Sequence, residues 1–377
     1  MLDLYLHKKI NKMKNIALLI GILVLLNTNK DHKISTKNDL KLETENIHYE
    51  AEVHLKNIKQ LTFGGDNAEA YFSFNNSQLV FQSNNKDWGV NCDQIFIRDI
   101  NKPFMNDEKP SPVSTGFGRT TCSYFMPDNK SILYASTHLG NKSCPEEPKR
   151  NEHSAYVWPI YKDYDIFISD LEGNILKQLT HHDGYDAEAT VSPLGDMIVF
   201  TSDRSGDLEL YTMDINGNNI KQVTNGLGYD GGAFFSHDGQ KLVFRSSRPQ
   251  TKEEIIEYKT YLQEGLVKPT EMELYTCNVD GSDLKQITNL GKANWAPFFH
   301  PSGKKILFSS NHKSERGFPF NLYMIDINGE NLEQITFDTT FDSFPMFSFD
   351  GKKLVFSSNR NNGGDRSTNI FIADWVE

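Results

Sequence analysis

The sequence repeats one short pattern six times, and this repeat restricts the fold more than any other feature. Five copies begin with glutamine, an apolar residue and threonine, and a degenerate sixth copy occupies residues 112–115. Three apolar segments follow each copy, and turns rich in glycine, aspartate and asparagine separate them. Such residues accept the positive φ angles of tight hairpins, so each copy predicts a four-stranded antiparallel sheet. The regular copies begin at residues 60–62, 178–180, 222–224, 286–288 and 334–336.

Six such units predict an all-β fold, a six-bladed β-propeller. A solenoid of stacked sheets is the alternative. The chain ends after the third strand of its last unit, and a strand near residues 53–62 has no unit of its own. We expect this N-terminal strand to complete the last blade, because closing the ring would remove the open sheet edges.

The residues before the repeat have two parts. Four lysines between residues 8 and 14 precede an apolar run at residues 16–26. The run is too short to span a bilayer and is typical of a secretory signal. We therefore predict a signal peptide at residues 1–26, with an uncleaved anchor as the alternative and Met13 as an alternative start. A polar leader at 27–49 and a propeller at 50–377 follow, and the predicted location is periplasmic or secreted.

The charge balance excludes one class of partner. The formal net charge is -11, whereas proteins that bind nucleic acids need clustered lysine and arginine. Charged residues make up 24% of the chain and aromatic residues 12%, a composition typical of a packed globular domain. We therefore predict no nucleic-acid partner, and membrane contact only through an uncleaved N-terminal segment.

The four cysteines permit a disulfide if the chain is exported. Cys92, Cys122 and Cys144 are expected on the same face of the propeller. Cys92–Cys144 and Cys122–Cys144 are therefore alternative pairs. Cys277 falls within a predicted strand and is expected to be a buried thiol.

Several phrases of the repeat resemble those of a known family. Residues 118–122, 185–189, 229–235 and 296–301 are similar to blades of the TolB-type β-propeller repeat family, in a bacterial exported subgroup. The resemblance covers roughly residues 50–377. It implies a periplasmic or secreted propeller that docks partners on one face, and it implies no particular activity.

The mouth of the central channel is the first candidate site. The first strand of each blade is expected to be innermost, so residues near its start should surround the channel. An oxygen-rich ring there would suit a divalent cation, a cationic ligand or a polyhydroxylated ligand, although the pattern requires no cofactor. The alternative is that acids and arginines at equivalent positions stabilise each blade. The predicted ligand-binding residues are Glu69, Arg119, Asp186, Glu188, Asp230, Asn294 and Asp342, beside an outer basic ring of His138, Arg204, Arg248, His312 and Arg360.

Two insertions interrupt the repeat, both between second and third strands and hence on the same face. The first, at residues 138–162, is rich in proline and aromatic residues, and the second, at 249–270, contains a capping-box pattern that predicts a helix. Insertions that break a repeat often bind partners, whereas a lid over one blade is the alternative. The predicted partner-binding residues are Tyr156, Trp158, Tyr161 and Tyr258.

The sequence lacks the common catalytic motifs. It has no nucleophile elbow, no zinc-binding helix motif and no phosphate-binding glycine loop. We therefore assign no catalytic residue and predict a monomeric binding or scaffold propeller. Its partner would be a protein or peptide of the cell envelope, docked on the face that carries the insertions. The alternative is a stand-alone propeller enzyme, a metal-assisted lyase or hydrolase acting on polysaccharide, for which the sequence assigns no metal ligands.

Overall fold

Each repeat folds into the antiparallel sheet that its spacing predicts. The computed structural model describes residues 47–102, 109–147 and 156–377. The predicted signal peptide and residues 27–46 of the leader lie outside these ranges. A short 3₁₀ helix spans Lys86–Trp88. The strands of the first half are β1 (Leu55–Gln60), β2 (Asp66–Phe72), β3 (Gln78–Asn84), β4 (Gln94–Asp99), β5 (Ser111–Pro112), β6 (Thr120–Phe125), β7 (Ser131–Ser136), β8 (Trp158–Pro159), β9 (Asp165–Asp170), β10 (Ile175–Gln178), β11 (Asp186–Val191), β12 (Met197–Ser202), β13 (Glu209–Asp214) and β14 (Lys221–Gln222).

The second half continues the same order and adds an α-helix. All described residues belong to one compact unit, Glu45–Glu377. None of the described helices is long and apolar enough to span a membrane. The elements are β15 (Asp230–Phe235), β16 (Lys241–Ser246), α1 (Lys252–Gln263), β17 (Leu266–Val267), β18 (Glu273–Asn278), β19 (Lys285–Gln286), β20 (Asn294–Phe299), β21 (Lys305–Ser310), β22 (Asn321–Asp326), β23 (Glu333–Gln334), β24 (Asp342–Phe347), β25 (Lys353–Ser358) and β26 (Asn369–Trp375).

Within the described ranges, the strands form six four-stranded sheets, which we number as blades in chain order. Their innermost strands are β2, β6, β11, β15, β20 and β24. In blade 6, β1 pairs antiparallel with β26, so that Leu55 lies opposite Trp375 and Gln60 opposite Phe371. The predicted six-bladed propeller, closed by the N-terminal strand, is confirmed.

The core lies between neighbouring blades, and the second strand of each blade is its most apolar part. Blades pack face to face, so a middle strand is covered on both sides and needs no polar face. In β7, for example, Ile132, Leu133, Tyr134 and Ala135 are all fully buried. The apolar triplets of the repeat are therefore the central layer of each blade.

All six innermost strands contain a β-bulge at the same place. The register between the first and second strands shifts there in every blade. A bulge adds one residue to one strand and turns its side chain in a new direction. The bulged residues have φ between 47° and 59°, a conformation that is unfavourable for residues other than glycine. They are Glu69, Cys122, Glu188, Gly232, Ala296 and Phe344.

The two insertions meet on one face of the propeller. Strand β8 of the first insertion pairs antiparallel with β17 of the second, with Val267 opposite Trp158. Helix α1 begins at the predicted capping box, in which Thr251 and Glu254 bond each other's backbone N–H groups. The first insertion, which joins the second and third strands of blade 2, is further tied to blade 1 by a Cys92–Cys144 disulfide, whereas Cys122 and Cys277 are free thiols. We call this side of the propeller the insertion-bearing face.

Candidate functional site: a channel chamber and an aromatic ridge

Three aromatic rings from different blades block the centre of the channel. Tyr71, Tyr124 and Phe234 lie with ring centroids 5.5–6.4 Å apart. On the side of the insertion-bearing face they leave a small chamber, which we call the upper chamber. The space open to the centre of a water molecule there is about 40 Å³, room for a few water molecules. Its lining includes all six bulged residues, Glu69, Cys122, Glu188, Gly232, Ala296 and Phe344, together with Arg245.

Glu188 joins blade 3 to blade 4 beside the chamber. Its carboxylate accepts hydrogen bonds from the Tyr229 hydroxyl at 2.5 Å, from the Gly232 N–H at 2.8 Å and from the Thr201 hydroxyl at 2.9 Å. It also forms an ion pair with Arg245. Burial alone would lower the pKa of Arg245, but Glu188 and Tyr229 hold it above its ordinary value. Glu188 is therefore fully engaged by the protein.

Two successive glycines make this arrangement fit. A Cβ atom on Gly231 would lie 2.3 Å from a carboxylate oxygen of Glu188, and one on Gly232 would lie 2.0 Å from Nη1 of Arg245. Both distances are far below van der Waals contact. Gly232 also has φ of +59°. The close approach of the guanidinium to the backbone therefore explains the paired glycines of this blade.

The carboxyl group of Glu69 lies in the lining of the chamber and has a raised pKa. Burial raises its pKa to about 7, although a hydrogen bond from Cys122 and the charge of Arg245 oppose the shift. Glu188 and Asp93 add smaller upward contributions. Burial and Glu69 likewise raise the pKa of the Cys122 thiol well above its ordinary value. Near neutral pH the chamber therefore contains a protonated thiol and a carboxyl group that is close to half ionised.

At pH 8 the Glu69→Gln variant should have a higher free energy of unfolding than the wild type. Because the folded-state pKa is raised above the unfolded value, the wild type loses stability as the pH rises from about 4.5 to about 7. Glutamine removes this loss, so we expect a gain of about 1–3 kcal/mol at pH 8 and almost none near pH 4.5. Urea denaturation at both values measures the difference. An equal effect at the two pH values would contradict a raised Glu69 pKa.

Four other predicted ligand-binding residues lie behind the chamber wall. Asp186, Asp230, Asn294 and Asp342 have no exposed surface and do not line the chamber. The bulge explains the difference, because residues two apart in a regular strand share a face, and here the inserted residue alone turns into the channel. The predicted ring is therefore divided, and only Glu69 and Glu188 of its members face the chamber.

The buried acids are paired with the outer basic ring. Asp186 accepts from Arg204 at 2.8 Å, and Asp342 accepts from Arg360 at 2.8 Å. Asp230 accepts from Arg248 at 2.8 Å in the same way. Each guanidinium also stacks on an aromatic ring of its own blade, at 5.0–5.2 Å.

Charge matching within each blade favours the structural alternative for these positions. Blades 2 and 5 have an uncharged residue, Thr120 or Asn294, where blades 3, 4 and 6 have aspartate, and there the arginine is replaced by His138 or His312. Burial lowers the pKa of both histidines, so they are neutral at pH 7. Aspartate thus occurs with arginine, and neutral residues occur with neutral histidine. Repeats commonly reuse such a stabilising pair in each unit.

Arg119 fastens the first insertion instead of lining the chamber. Its guanidinium contacts Asp93 at 3.3 Å and Glu147 of the insertion at 2.5 Å, and it lies 5.9 Å from the centre of the Tyr161 ring. The Tyr161 hydroxyl donates to the Glu146 carbonyl at 3.1 Å. Both predicted site residues therefore hold the loop next to the disulfide.

Comparisons with known proteins agree with the geometry. Residues 155–267 match the family model described as the TolB beta propeller domain. The matched segment, which runs from the first insertion to β17, is similar to TolB-type blades. A putative TolB from Agrobacterium tumefaciens superposes with a TM-score of 0.52 and 18% identity, covering 83% of this chain and 91% of that one. No curated protein matches the sequence.

Two further solved structures match this chain with TM-scores below 0.5. TolB from Acinetobacter baumannii gives a TM-score of 0.47 with 20% identity, covering 84% of this chain and 65% of that one. An oligogalacturonate lyase in complex with manganese also gives 0.47, with 13% identity over 85% of this chain and 93% of that one. Similarity at this level concerns the fold and carries no activity to this chain. In the described part of the chain, no group of three or more His, Cys, Asp or Glu side chains is arranged to hold a metal.

Above the chamber, the propeller has a row of aromatic side chains, which we call the aromatic ridge. It runs from Tyr156 through Trp295 and Phe320 to Phe318, with ring centroids 6.5, 4.4 and 5.9 Å apart along the row. Trp158 lies beside it, 5.2 Å from Trp295 and 5.1 Å above Arg245. The ridge therefore begins on the first insertion and ends on the loop between β21 and β22.

Of the predicted partner-binding residues, Tyr156 is the most exposed, at 42%. Trp158, Tyr161 and Tyr258 are half-buried. Tyr258 donates its hydroxyl to Asp207, which anchors α1 to blade 3. These side chains thus hold the two insertions to the propeller as well as contributing to its surface.

Arg245 is central to the chamber but is not among the site residues predicted from the sequence. A signal was present, because the equivalent positions of the other second strands are all uncharged. An arginine at one such position conflicts with the burial of that strand unless a buried acid lies opposite. The same comparison could have identified Trp295, which stands where other blades have small or polar residues. The equivalents of Arg245 are Gln82, Ala135, Thr201, Ser309 and Ser357, and those of Trp295 are Ala68, Thr121, Ala187, Gly231 and Ser343.

Proposed function

We propose that this chain is an exported, monomeric binding propeller, and that a protein or peptide of the cell envelope docks on its insertion-bearing face. The aromatic ridge is the observation that carries the proposal. Its ends are open to solvent, with Phe318 63% and Tyr156 42% exposed, while Trp295 and Phe320 between them are buried. Aromatic side chains held in place by a packed base are typical centres of protein interfaces.

The surface under the ridge is fixed by several tethers, which favours binding without a large loss of entropy. The β8–β17 pair joins the two insertions, and the Cys92–Cys144 disulfide holds the first one to blade 1. The Gly118 N–H adds a hydrogen bond to the Lys142 carbonyl at 2.9 Å. Phe117 and Leu139, which are 48% and 62% exposed, extend the apolar surface of this face.

Export is the second part of the proposal. A disulfide of this kind is typical of secreted and periplasmic proteins, and the N-terminal apolar run has the length of a signal peptide. A partner in the envelope follows from that location.

The Phe318→Ser variant tests the docking face. The tagged full chain would be crosslinked in its native cells and recovered from the envelope fraction. We expect Phe318→Ser to recover at least tenfold less of the partner than the wild type does. An aromatic side chain that becomes buried in an interface contributes about 2 kcal/mol or more to binding.

Leu194→Ser is the matched control. Leu194 lies in the turn between β11 and β12, on the opposite face of the propeller. Because it is 60% exposed, its replacement by serine removes an amount of exposed apolar surface similar to that lost in Phe318→Ser. The partner should be retained by this variant. Equal recovery with Phe318→Ser, or loss of the partner with Leu194→Ser instead, would count against the insertion-bearing face.

A further inference from the structure

We propose that the upper chamber binds a small free carboxylate, of the size of formate or acetate, through Arg245. The starting observation is the incomplete pairing of this arginine. Arg245 is only 8% exposed, yet its hydrogen bonds to Glu188 and Tyr229 both use Nη2. Its Nε is buried without a hydrogen-bond partner among the described residues. Nη1, which lies close over Gly232, likewise has no such partner in the described ranges.

The unpaired N–H groups of Arg245 need a hydrogen-bond acceptor, because the side chain is buried. A guanidinium has five N–H donors, and three of them, on Nε and Nη1, are unused here. A buried polar group without a partner is unfavourable, so natural proteins rarely leave one without a ligand or an ordered water. A carboxylate supplies two acceptor oxygens in the plane that a guanidinium recognises best.

The size of the chamber restricts the ligand. With about 40 Å³ open to water centres, it holds a few atoms and no peptide chain. Trp158 covers Arg245 from above, at 5.1 Å, and the Tyr71–Tyr124–Phe234 cluster closes the channel below. A small free acid therefore fits the space, and the partner on the aromatic ridge remains outside it.

The charges of the lining make binding dependent on pH. The groups that face Glu69 are Cys122 on β6, Glu188 on β11, Arg245 on β16 and Asp93 before β4. With Glu69 ionised, Glu69, Glu188 and Arg245 together carry an excess negative charge, which repels an anion. With Glu69 protonated, these charges cancel, and its O–H becomes a second donor toward the ligand. Binding therefore takes up a proton at Glu69.

Titration of the purified full chain with acetate and with formate tests this inference. Calorimetry at pH 6 and pH 8 gives the dissociation constants. Because the Glu69 pKa is about 7, the protonated fraction falls about tenfold between these two values, and we expect the affinity to fall by about the same factor. Absence of binding at both pH values would overturn the proposal.

Two variants separate this site from adventitious binding. Glu69→Gln keeps a donor at all pH values, so it should bind acetate equally well at pH 6 and pH 8. The double variant Arg245→Met with Glu188→Gln removes the guanidinium without leaving a buried charge, and it should lose acetate binding while circular dichroism shows an intact fold. Equal acetate binding by this double variant and the wild type would overturn the role of Arg245.

Methylammonium tests whether the upper chamber binds a cation instead of an anion. At pH 6, where Glu69 is mostly protonated and the charges of Glu188 and Arg245 cancel, methylammonium should show no binding, because a cation has no acceptor for the unused donors of Arg245. If methylammonium bound to the wild type at pH 6 and acetate did not, the chamber would be a cation site and the proposal would be wrong.

Discussion

Arg360→Met is expected to lower the free energy of unfolding by about 3–5 kcal/mol, the range found when one partner of a buried ion pair is removed. The Arg360 side chain is 1% exposed and lies between Glu52 at 2.9 Å and Asp342 at 2.8 Å, both with no exposed surface. Methionine would leave two carboxylates buried without a counter-charge. Urea denaturation of the purified protein at pH 7 measures the change.

Arg204→Met is the matched control from blade 3. Its side chain is 22% exposed and pairs with Asp186 alone, so solvent can compensate part of the loss. We expect this variant to lose at least about 1 kcal/mol less than Arg360→Met, since it leaves one buried carboxylate without its partner instead of two. Equal losses would show that the second carboxylate, Glu52, contributes nothing to the pair.

A neutral replacement of the whole cluster should recover most of the stability. Blade 1 carries Asn67 and Asn85 at the positions of Asp342 and Arg360. In the triple variant Arg360→Met, Glu52→Gln and Asp342→Asn, the guanidinium and both carboxylates that it contacts are replaced by neutral groups, and such replacements of buried ion pairs are often nearly neutral. A triple variant as unstable as Arg360→Met alone would contradict the electrostatic explanation and point to packing.

Loss of the Cys92–Cys144 disulfide is the second large effect that we expect. The bond closes a loop with a sequence separation of 52 residues. The chain-entropy relation gives about 4 kcal/mol for a loop of this length, and measured losses are about 2–5 kcal/mol. The variant Cys92→Ser with Cys144→Ser should therefore unfold at a clearly lower urea concentration than the wild type under oxidising conditions.

Reductant and Cys122→Ser provide the controls. A reductant should lower the stability of the wild type to that of the double variant and leave the double variant unchanged. Cys122 is a free thiol, so Cys122→Ser should respond to reductant as the wild type does. If Cys122→Ser instead abolished the response, the disulfide would be Cys122–Cys144, the alternative pair.

The disulfide also determines the surface proposed for partner binding. It holds the part of the first insertion that Arg119 and Tyr161 contact. In the absence of the bond, these two contacts and the β8–β17 pair remain. The ridge should therefore persist but lose rigidity, which would show as faster proteolysis of the first insertion.

The sequence by itself determined the propeller, the number of blades, the closure by the N-terminal strand and the face that carries the insertions. These features depend on local signals that recur at fixed spacing: apolar triplets for the middle strands, glycine turns, and the capping box of Thr251 and Glu254. Six repetitions of one pattern confirm each other, so an irregular copy such as residues 112–115 does not obscure the register.

Only the tertiary structure decided which residues face the channel. The bulge in each innermost strand adds one residue, and a shift of one residue moves a side chain to the other face. Glu69 and Glu188 therefore enter the chamber, while Asp186, Asp230 and Asp342 lie behind it. The sequence does not show the bulge, because five of the six positions carry residues that do not favour positive φ.

Pairings between distant segments were also decided only by the structure. The choice of Cys144 as the partner of Cys92, the joining of β8 to β17 and the contact of Glu188 with Arg245 each depend on where the blades place these residues. Spacing along the chain carries no information on such contacts, because the propeller brings together groups that lie about 50 to 110 residues apart in sequence. Local repeats in the sequence thus determine the fold, whereas the chamber depends on contacts that form only when the ring of blades closes.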